Sequence, residues 1–298
     1  MFFCRQIIYE IRMKRKLAVV LLICISCHMG WAAQDFVWKS GQNMKVVCDT
    51  TEAPVVKVAL DLLKRDCRSV LSGNISCSEN TGSIYVGTWG ESSVLQALAE
   101  THQLDVAQLN EHKEAFLLNV LPDGRLVVAG SDKRGTAYGV LELSRMMGVS
   151  PWEWWADAIP EKKEELRLSA GFRKLDYPQV AYRGIFINDE DWGLTPWSWK
   201  HYEPSERKGQ IGPKTHARIF ELLLRLRANT FWPAMHGCSI PFFFTEGNKE
   251  MADKYAIYLG TSHCEPMMRN TNGEWKTAGK GFFRENHASG AECGKGCD

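Results

Sequence analysis

Apolar positions beyond residue 35 alternate between spacings of two and of three to four, which predicts strands interleaved with helices. Strands are predicted at 44–48, 83–89, 115–120 and 125–129. Helices are predicted from Pro54 toward Gly73, over 94–99 and over 133–147. The turn pair Asp123-Gly124 separates the last two strands and is typical of a hairpin. The pattern therefore predicts a small mixed α/β domain over residues 34–160.

A different rhythm follows Tyr177-Pro178, after a charged segment (161–178) that we interpret as a solvated linker. Strands and helices now alternate regularly, with strands at 184–187, 229–234 and 261–263 and helices at 213–227 and 248–259. Successive β–α steps predict a parallel sheet. They are typical of the opening of a (β/α)₈ barrel, although an open doubly wound sheet shares the same rhythm.

Polar and aromatic side chains follow each strand of this second region. Asn188 and Asp189 come directly after the first strand, which reads as buried, and they precede further acids and tryptophans: Glu190, Asp191, Trp192, Trp197 and Trp199. Carboxylates accept hydrogen bonds from hydroxyls, and indole rings stack on the apolar faces of sugars. Since the carboxyl ends of parallel strands meet at one edge, the pattern indicates a sugar pocket there.

Three more candidates for this pocket are Trp232 at the end of the second strand and His263 and Glu265 after the third. Three of the candidates also have a purely structural interpretation. Asn188 can cap a strand end, Trp232 can fill the core, and a buried imidazole such as that of His263 is usually satisfied by hydrogen bonds.

The tryptophans Trp152, Trp154 and Trp155 form an aromatic patch after Pro151. We predict that they cover the interface between the two regions, with contact to a ligand as the alternative, since aromatic side chains are enriched at both kinds of surface.

The N-terminus is typical of a secretory signal peptide. A basic cluster at 14–16 precedes an apolar run at 17–27 that is too short to span a bilayer. We therefore expect a signal peptide over 1–33, with Met13 as an alternative start, and export to the periplasm or the extracellular space. Cys24 and Cys27 allow a lipoprotein anchor as a less favoured alternative.

Composition narrows the kinds of partner and site that remain possible. A formal net charge of +1 gives no electrostatic reason to expect nucleic acid as a partner, and no membrane span is expected. The cysteines after the leader are irregularly spaced, so the sequence predicts neither a disulfide framework nor a zinc site.

Three segments together carry a resemblance to a known family. They read Y-R-G-I-F-I-N-D-E-D-W-G (182–193), R-A-N-T-F-W-P-A-M-H (227–236) and G-T-S-H-C-E-P-M-M-R-N (260–270). Their combination and order resemble the front part of glycoside hydrolase family 115, whose members are α-glucuronidases that remove glucuronic acid or its 4-O-methyl ether from xylan side chains.

The resemblance implies an inverting glycosidase with glucuronoxylan as substrate and without an obligatory cofactor or metal. It implies a small α/β domain followed by the first strands of an incomplete (β/α)₈ barrel over 179–275. Asp189 becomes the candidate charge-stabilising or hydroxyl-binding carboxylate, and the candidate substrate-binding residues are Asn188, Trp232, His263 and Glu265. The resemblance leaves open whether the full-length relatives form homodimers.

The pattern departs from the family after Trp275. Residues 276–298 are rich in Gly, Lys and Cys and lack an apolar period, so we interpret them as an aberrant tail of a truncated or frameshifted member. The family's acid and base are expected on later strands, and this chain alone is therefore expected to be inactive. Two alternatives stay open: a non-catalytic carbohydrate-binding protein, and another barrel glycosidase that shares the N-terminal α/β domain.

Overall fold

A computed structural model of the chain describes residues 33–79, 81–101, 103–187, 193–233 and 238–261. The strands are β1 (Phe36–Lys39), β2 (Asn43–Cys48), β3 (Asn74–Ser78), β4 (Ile84–Thr88), β5 (Phe116–Val120), β6 (Leu126–Gly130), β7 (Glu165–Leu168), β8 (Arg173–Asp176), β9 (Gly184–Phe186), β10 (Thr230–Trp232) and β11 (Tyr258–Leu259). The α-helices are α1 (Pro54–Leu71), α2 (Ser93–Glu100), α3 (Lys133–Met146), α4 (Leu194–Trp197), α5 (Pro213–Arg225) and α6 (Asn248–Lys254). Within these ranges no helix is long and apolar enough to cross a bilayer.

The first region forms a six-stranded sheet in the order β3-β2-β4-β6-β5-β8. Its first four strands are parallel, whereas β5 runs antiparallel to both β6 and β8. The predicted hairpin joins β5 to β6, and Gly124 adopts the positive φ of 81° that its turn requires. Helices α1 and α3 pack on each other in the larger core, while α2 belongs to a second cluster. The predicted mixed α/β layer is confirmed.

Two predicted helix starts are also confirmed. Pro54 is the first residue of α1, where its missing N–H leaves no hydrogen bond unmade. Asp132 caps α3, because its carboxylate accepts hydrogen bonds from the backbone N–H groups of Arg134 and Gly135, both at 2.9 Å.

The charged segment 161–178 contains two strands rather than only a solvated connection. β7 pairs antiparallel with β1, and β8 completes the six-stranded sheet beside β5. Within β7, Leu166 and Leu168 are buried while Arg167 between them is exposed. This alternation is a strand signal that the neighbouring charges obscure in the sequence.

The second region forms the three-stranded parallel sheet β11-β10-β9. Together with the preceding layer it confirms the predicted fold class, and within the described residues the sheet is open. Two details differ from the prediction. Helix α6 ends at Lys254 instead of continuing to 259, because Ala256 takes a left-handed φ of 54°. The third strand is consequently Tyr258–Leu259 instead of 261–263.

The prediction that the strand at 184–187 is buried is wrong. Ile185 and Phe186 are 40% and 42% exposed, whereas Phe231 of β10 is 1% exposed. The reason is position: β10 lies between two strands and α5 packs behind it, while β9 is an edge strand of the described sheet. The expected signal peptide and tail lie outside the described residues.

Buried ion pairs join the two regions. Asp66 of α1 receives two hydrogen bonds from the Arg225 guanidinium of α5, at 2.8 and 3.0 Å. Glu221 of α5 accepts from Arg65 and from Arg218. The Asp66–Arg225 and Arg65–Glu221 pairs bridge α1 and α5 and so fix α5 against the first layer, whereas the Arg218–Glu221 pair lies within α5.

A third buried carboxylate, that of Glu142 in α3, receives hydrogen bonds from Arg145, Lys174 and Arg227. Burial alone raises the pKa of Glu142, but these three cations outweigh it and lower the pKa to about 2. Arg227 lies in the second region, three residues before β10 begins, so Glu142 forms another charged link between the regions.

Candidate functional site

The carboxyl ends of β9, β10 and β11 lie side by side. In the parallel register Phe186 pairs with Trp232 and Phe231 pairs with Leu259, so Gly260 follows at the same level. The Ile187 N–H donates to the Trp232 carbonyl at 3.1 Å, and the Gly260 N–H donates to that of Phe231 at 2.9 Å. These bonds extend the ladder to the edge where the sequence analysis places a sugar pocket.

Trp232 is the aromatic side chain at the centre of this edge. Its ring centroid lies 6.1 Å from that of Phe186, and 42% of the residue is exposed. On the other side it lies so close to Gly260 that a Cβ atom there would overlap the indole. At this exposure Trp232 does not belong to the packed core of the described residues, and its role in sugar binding stays a prediction.

This contact gives a testable prediction. Gly260→Ala should cost about 2 kcal/mol of folding stability, because the new methyl group forces the Trp232 ring from its position. Urea unfolding measures the loss. In a Trp232→Ala background the same substitution should cost almost nothing, and an equal cost in both backgrounds would contradict the proposed contact.

Trp232 is the one predicted site residue within the described ranges. Asn188, Asp189, His263 and Glu265 lie outside them, so their roles stay predictions. The backbone nevertheless fixes where one segment begins: Ile187, the residue before Asn188, is hydrogen-bonded to the Trp232 carbonyl.

His216 lies behind the sheet and was not singled out by the sequence. Its Nδ1 atom is 3.0 Å from the Gly212 carbonyl oxygen and 3.2 Å from Asn248 Oδ1, and its ring packs against those of Phe231 and Phe242. Burial lowers the pKa of His216 to about 4, although the two hydrogen bonds act to raise it. The imidazole is neutral near pH 7 and packs against Phe231 on the side of the sheet that faces α5.

A cavity of about 190 Å³ lies at the opposite, amino-terminal edge of the sheet. It is lined by Glu114, Phe116, Tyr138, Asp176, Tyr177, Pro178, Arg183, Leu226 and Arg227. Its charged groups bind one another, with Glu114 paired to Arg183 and Asp176 to Arg227. The cavity is smaller than ordinary ligand pockets and its charges are already neutralised, so the Trp232 edge is the better candidate site.

The aromatic patch after Pro151 contacts the second region, as predicted. Trp154 makes edge-to-face contacts with Trp197 and Tyr202, at centroid distances of 6.0 and 5.2 Å. The Trp155 indole N–H donates to the Arg218 carbonyl at 3.1 Å. Trp152 is 48% exposed. Trp154 and Trp155 thus serve the interface.

Comparison with known proteins places this geometry in a family. The profile described as "Glycosyl hydrolase family 115" matches residues 175–291. A solved structure described as "A novel family GH115 4-O-Methyl-alpha-glucuronidase, BtGH115A, with specificity for decorated arabinogalactans" is 59% identical to the chain, with a TM-score of 0.80. The match covers 86% of this chain and 33% of that structure, so the chain spans about a third of the length of this relative.

Other similarities are weaker. A structure described as "Structure of CpGH84D" is 12% identical over 76% of this chain and 34% of its own, with a TM-score of 0.49. A β-hexosaminidase from Streptomyces plicatus is 13% identical over 77% of this chain and 42% of its own, with a TM-score of 0.47. Neither similarity bears on function, and no curated protein matches the chain. On the strength of the profile and the 59% identical structure, the chain belongs to glycoside hydrolase family 115.

Proposed function

We propose that the protein takes part in hydrolysing the bond between a glucuronic acid or 4-O-methylglucuronic acid side residue and a polysaccharide. The observation that carries the proposal is the 59% identity to a structure described as a 4-O-methyl-α-glucuronidase. The accessible indole of Trp232 at the carboxyl edge of parallel strands supports it, because this is where barrel enzymes bind their substrates.

In the mechanism that the family resemblance implies, one carboxylic acid protonates the leaving glycosidic oxygen. A carboxylate on the opposite side removes a proton from water, whose oxygen attacks the anomeric carbon and inverts it. This chain would contribute substrate binding. Trp232 would stack on the apolar face of the uronic acid, and Asn188, Asp189, His263 and Glu265 would bind its hydroxyl groups. Asp189 could also stabilise positive charge that develops on the sugar ring.

Two polysaccharides are candidates for the substrate. The family resemblance favours glucuronoxylan, whereas the 59% identical structure is described as having specificity for decorated arabinogalactans. This identity favours an arabinogalactan for the present protein, and assays with both polymers separate the two.

Binding provides the direct test of Trp232. Trp232→Ala should weaken the affinity of the chain for 4-O-methylglucuronic acid by about tenfold, since loss of a stacking ring removes roughly 1 kcal/mol or more. Titration calorimetry measures the affinity. Trp152→Ala, which removes an exposed tryptophan of the aromatic patch, is the matched control and should leave the affinity unchanged. Equal affinities of wild type and Trp232→Ala would exclude the proposed stacking.

Turnover is tested in two proteins. The 298-residue chain alone is expected to bind without releasing 4-O-methylglucuronic acid, because the acid and base of the family are expected on later strands. A chimera that carries residues 34–270 in place of the matching part of the 59% identical relative should release the sugar, and less of it with Trp232→Ala. A chimera that folds and binds but never hydrolyses would favour the alternative of a non-catalytic carbohydrate-binding protein.

A further inference from the structure

The amino-terminal ends of β9 and β10 converge on one carboxylate of the first region. Glu114 is 7% exposed. Its Oε1 atom accepts a hydrogen bond from Asn229 Nδ2 at 2.8 Å, and its Oε2 atom accepts one from the Arg183 guanidinium. Arg183 immediately precedes β9 and Asn229 immediately precedes β10. A single side chain therefore holds the starts of two neighbouring strands.

The two strand starts are also bound to each other. The Arg183 backbone N–H donates to Asn229 Oδ1 at 3.0 Å, and the Arg183 carbonyl accepts from the N–H groups of Asn229 and Thr230. The Arg183 Nε–H donates to the Arg227 carbonyl at 2.8 Å. Because each of these groups is oriented by the others, moving the Glu114 carboxylate shifts both strands together.

The third strand is tied to the same group through Arg134. This guanidinium lies 3.5 Å from Glu114 Oε1, donates to the Ala256 carbonyl at 2.6 Å and donates to the Tyr258 hydroxyl at 3.0 Å. Its Cζ atom also lies 3.9 Å from the centre of the Tyr258 ring. Ala256 and Tyr258 stand before and at the start of β11, so the Glu114–Arg134 pair reaches all three strands.

Glu114 is itself held in a fixed position. Its backbone N–H donates to Asp132 Oδ2 at 2.8 Å, and Asp132 is the capping residue of α3. Glu114 also adopts a left-handed φ of 55°, which is uncommon for a glutamate and persists where the surroundings enforce it. The carboxylate is thus presented to the second region from a rigid part of the first.

We propose that Glu114 is a positioning residue for sugar binding: by holding the starts of β9, β10 and β11 it sets the relative placement of their carboxyl ends, where Trp232 lies. The proposal rests on the proposed function of that edge. The strands are short, and three residues at about 3.3 Å each place Glu114's partners only roughly 10 Å from Phe186 and Trp232. A displacement at one end of such a strand therefore reaches the other.

The alternative is that Glu114 only stabilises the fold, as other buried carboxylates of the interface do. Asp66 offers the comparison, because it is also buried, at 3% exposure, and also pairs with an arginine of the second region. Its partner Arg225 lies at the end of α5, however, and does not bind the start of a strand directly. Glu114 and Asp66 variants therefore separate positioning from general stability.

The experiment compares Glu114→Ala, Glu114→Gln, Glu114→Asp and Asp66→Asn in the full chain. Affinity for 4-O-methylglucuronic acid is measured by calorimetry, and melting temperature by circular dichroism. Glu114→Ala should bind about tenfold more weakly, whereas Asp66→Asn should melt at a lower temperature and keep its affinity within about twofold. Glu114→Gln keeps an acceptor for Asn229 and should fall between wild type and Glu114→Ala.

Glu114→Asp distinguishes the contribution of the side-chain contacts from that of the left-handed backbone conformation. Aspartate tolerates a left-handed φ better than glutamate does, but it is one methylene shorter and cannot reach Arg183 and Asn229 together. It should therefore bind as weakly as Glu114→Ala. Wild-type affinity of Glu114→Asp, or an equal loss of affinity in Asp66→Asn, would overturn the proposal.

A second measurement needs no ligand and keeps the proposal distinct from the proposed function. Hydrogen exchange of the Ile187 and Gly260 amides reports the ladder bonds at the site edge. Exchange should be about tenfold faster in Glu114→Ala and unchanged in Asp66→Asn. If the wild-type chain does not bind the sugar, the proposed function fails, and the exchange rates alone decide whether Glu114 positions the strands. Equal rates in the two variants would overturn that role.

Discussion

Asp66→Ala should destabilise the chain by about 3 kcal/mol, which is one of the two largest effects that we expect. The substitution leaves Arg225 buried, at 4% side-chain exposure, with Glu221 as its remaining described partner. Arg225 then loses one of the two carboxylates that bind it. The cost of removing its charge from water is therefore no longer offset. Urea unfolding at pH 7 measures the difference.

The double variant Asp66→Leu with Arg225→Met is the control. It replaces both charges by apolar groups of similar volume and should recover most of the lost stability, since no buried charge is then left unpaired. Arg167→Ala, which breaks the exposed pairs of Arg167 with Asp35 and Glu165, should leave stability nearly unchanged. A double variant less stable than Asp66→Ala would show that packing, not charge pairing, dominates at this interface.

Acid should destabilise the fold through His216, the second large effect. Its pKa is about 4 in the folded chain against 6.5 for the unfolded reference, so the unfolded chain binds the proton more tightly. The stabilisation is therefore complete above pH 6.5 and is lost as the pH falls from 6.5 toward 4. Between pH 7 and pH 5 the free energy of unfolding should fall by about 2 kcal/mol from this group.

Two histidine variants isolate the effect. His216→Gln should lower stability at pH 7 but reduce the pH dependence between 6.5 and 4, because the titrating group is gone. His201→Gln removes an exposed histidine and should leave the pH dependence as in wild type. A wild-type slope in His216→Gln would show that other groups cause the acid sensitivity.

The elements that the sequence predicts well are those whose signals are local. Pro54 begins α1, Asp132 caps α3, and the Asp123-Gly124 turn joins a hairpin, because each of these residues acts on the backbone within a few positions. The parallel strands of the second region follow from the β–α rhythm for the same reason.

The misplaced elements depend on tertiary context. The helix predicted over 213–227 includes Leu226, which in the structure follows α5, is 45% exposed and lines the cavity. Residues 255–259 fit a helical period, but Ala256 turns left-handed and Ile257 is buried before β11 begins. Strand β7 exists because β1, more than 120 residues earlier, offers it a partner.

The candidate site shows the same difference between local signals, which the sequence carries, and long-range contacts, which it does not. The position of Trp232 at the end of β10 could be predicted because it stands in a recognisable motif, whereas its role in binding stays a prediction. Glu114 could not, because its partners Arg183 and Asn229 lie 69 and 115 positions away along the chain. A glutamate before a hairpin strand carries no local sign of such distant contacts.

The antiparallel pairing of β1 with β7 has a mechanical consequence. Phe36, where the chain enters this pair, lies opposite Leu168, where it leaves. Tension applied between these two residues therefore acts at one end of the ladder and breaks its rungs in succession, as in unzipping, instead of shearing them all at once. Pulling in an optical trap should separate β1 from β7 at low force, while the six-stranded sheet stays intact.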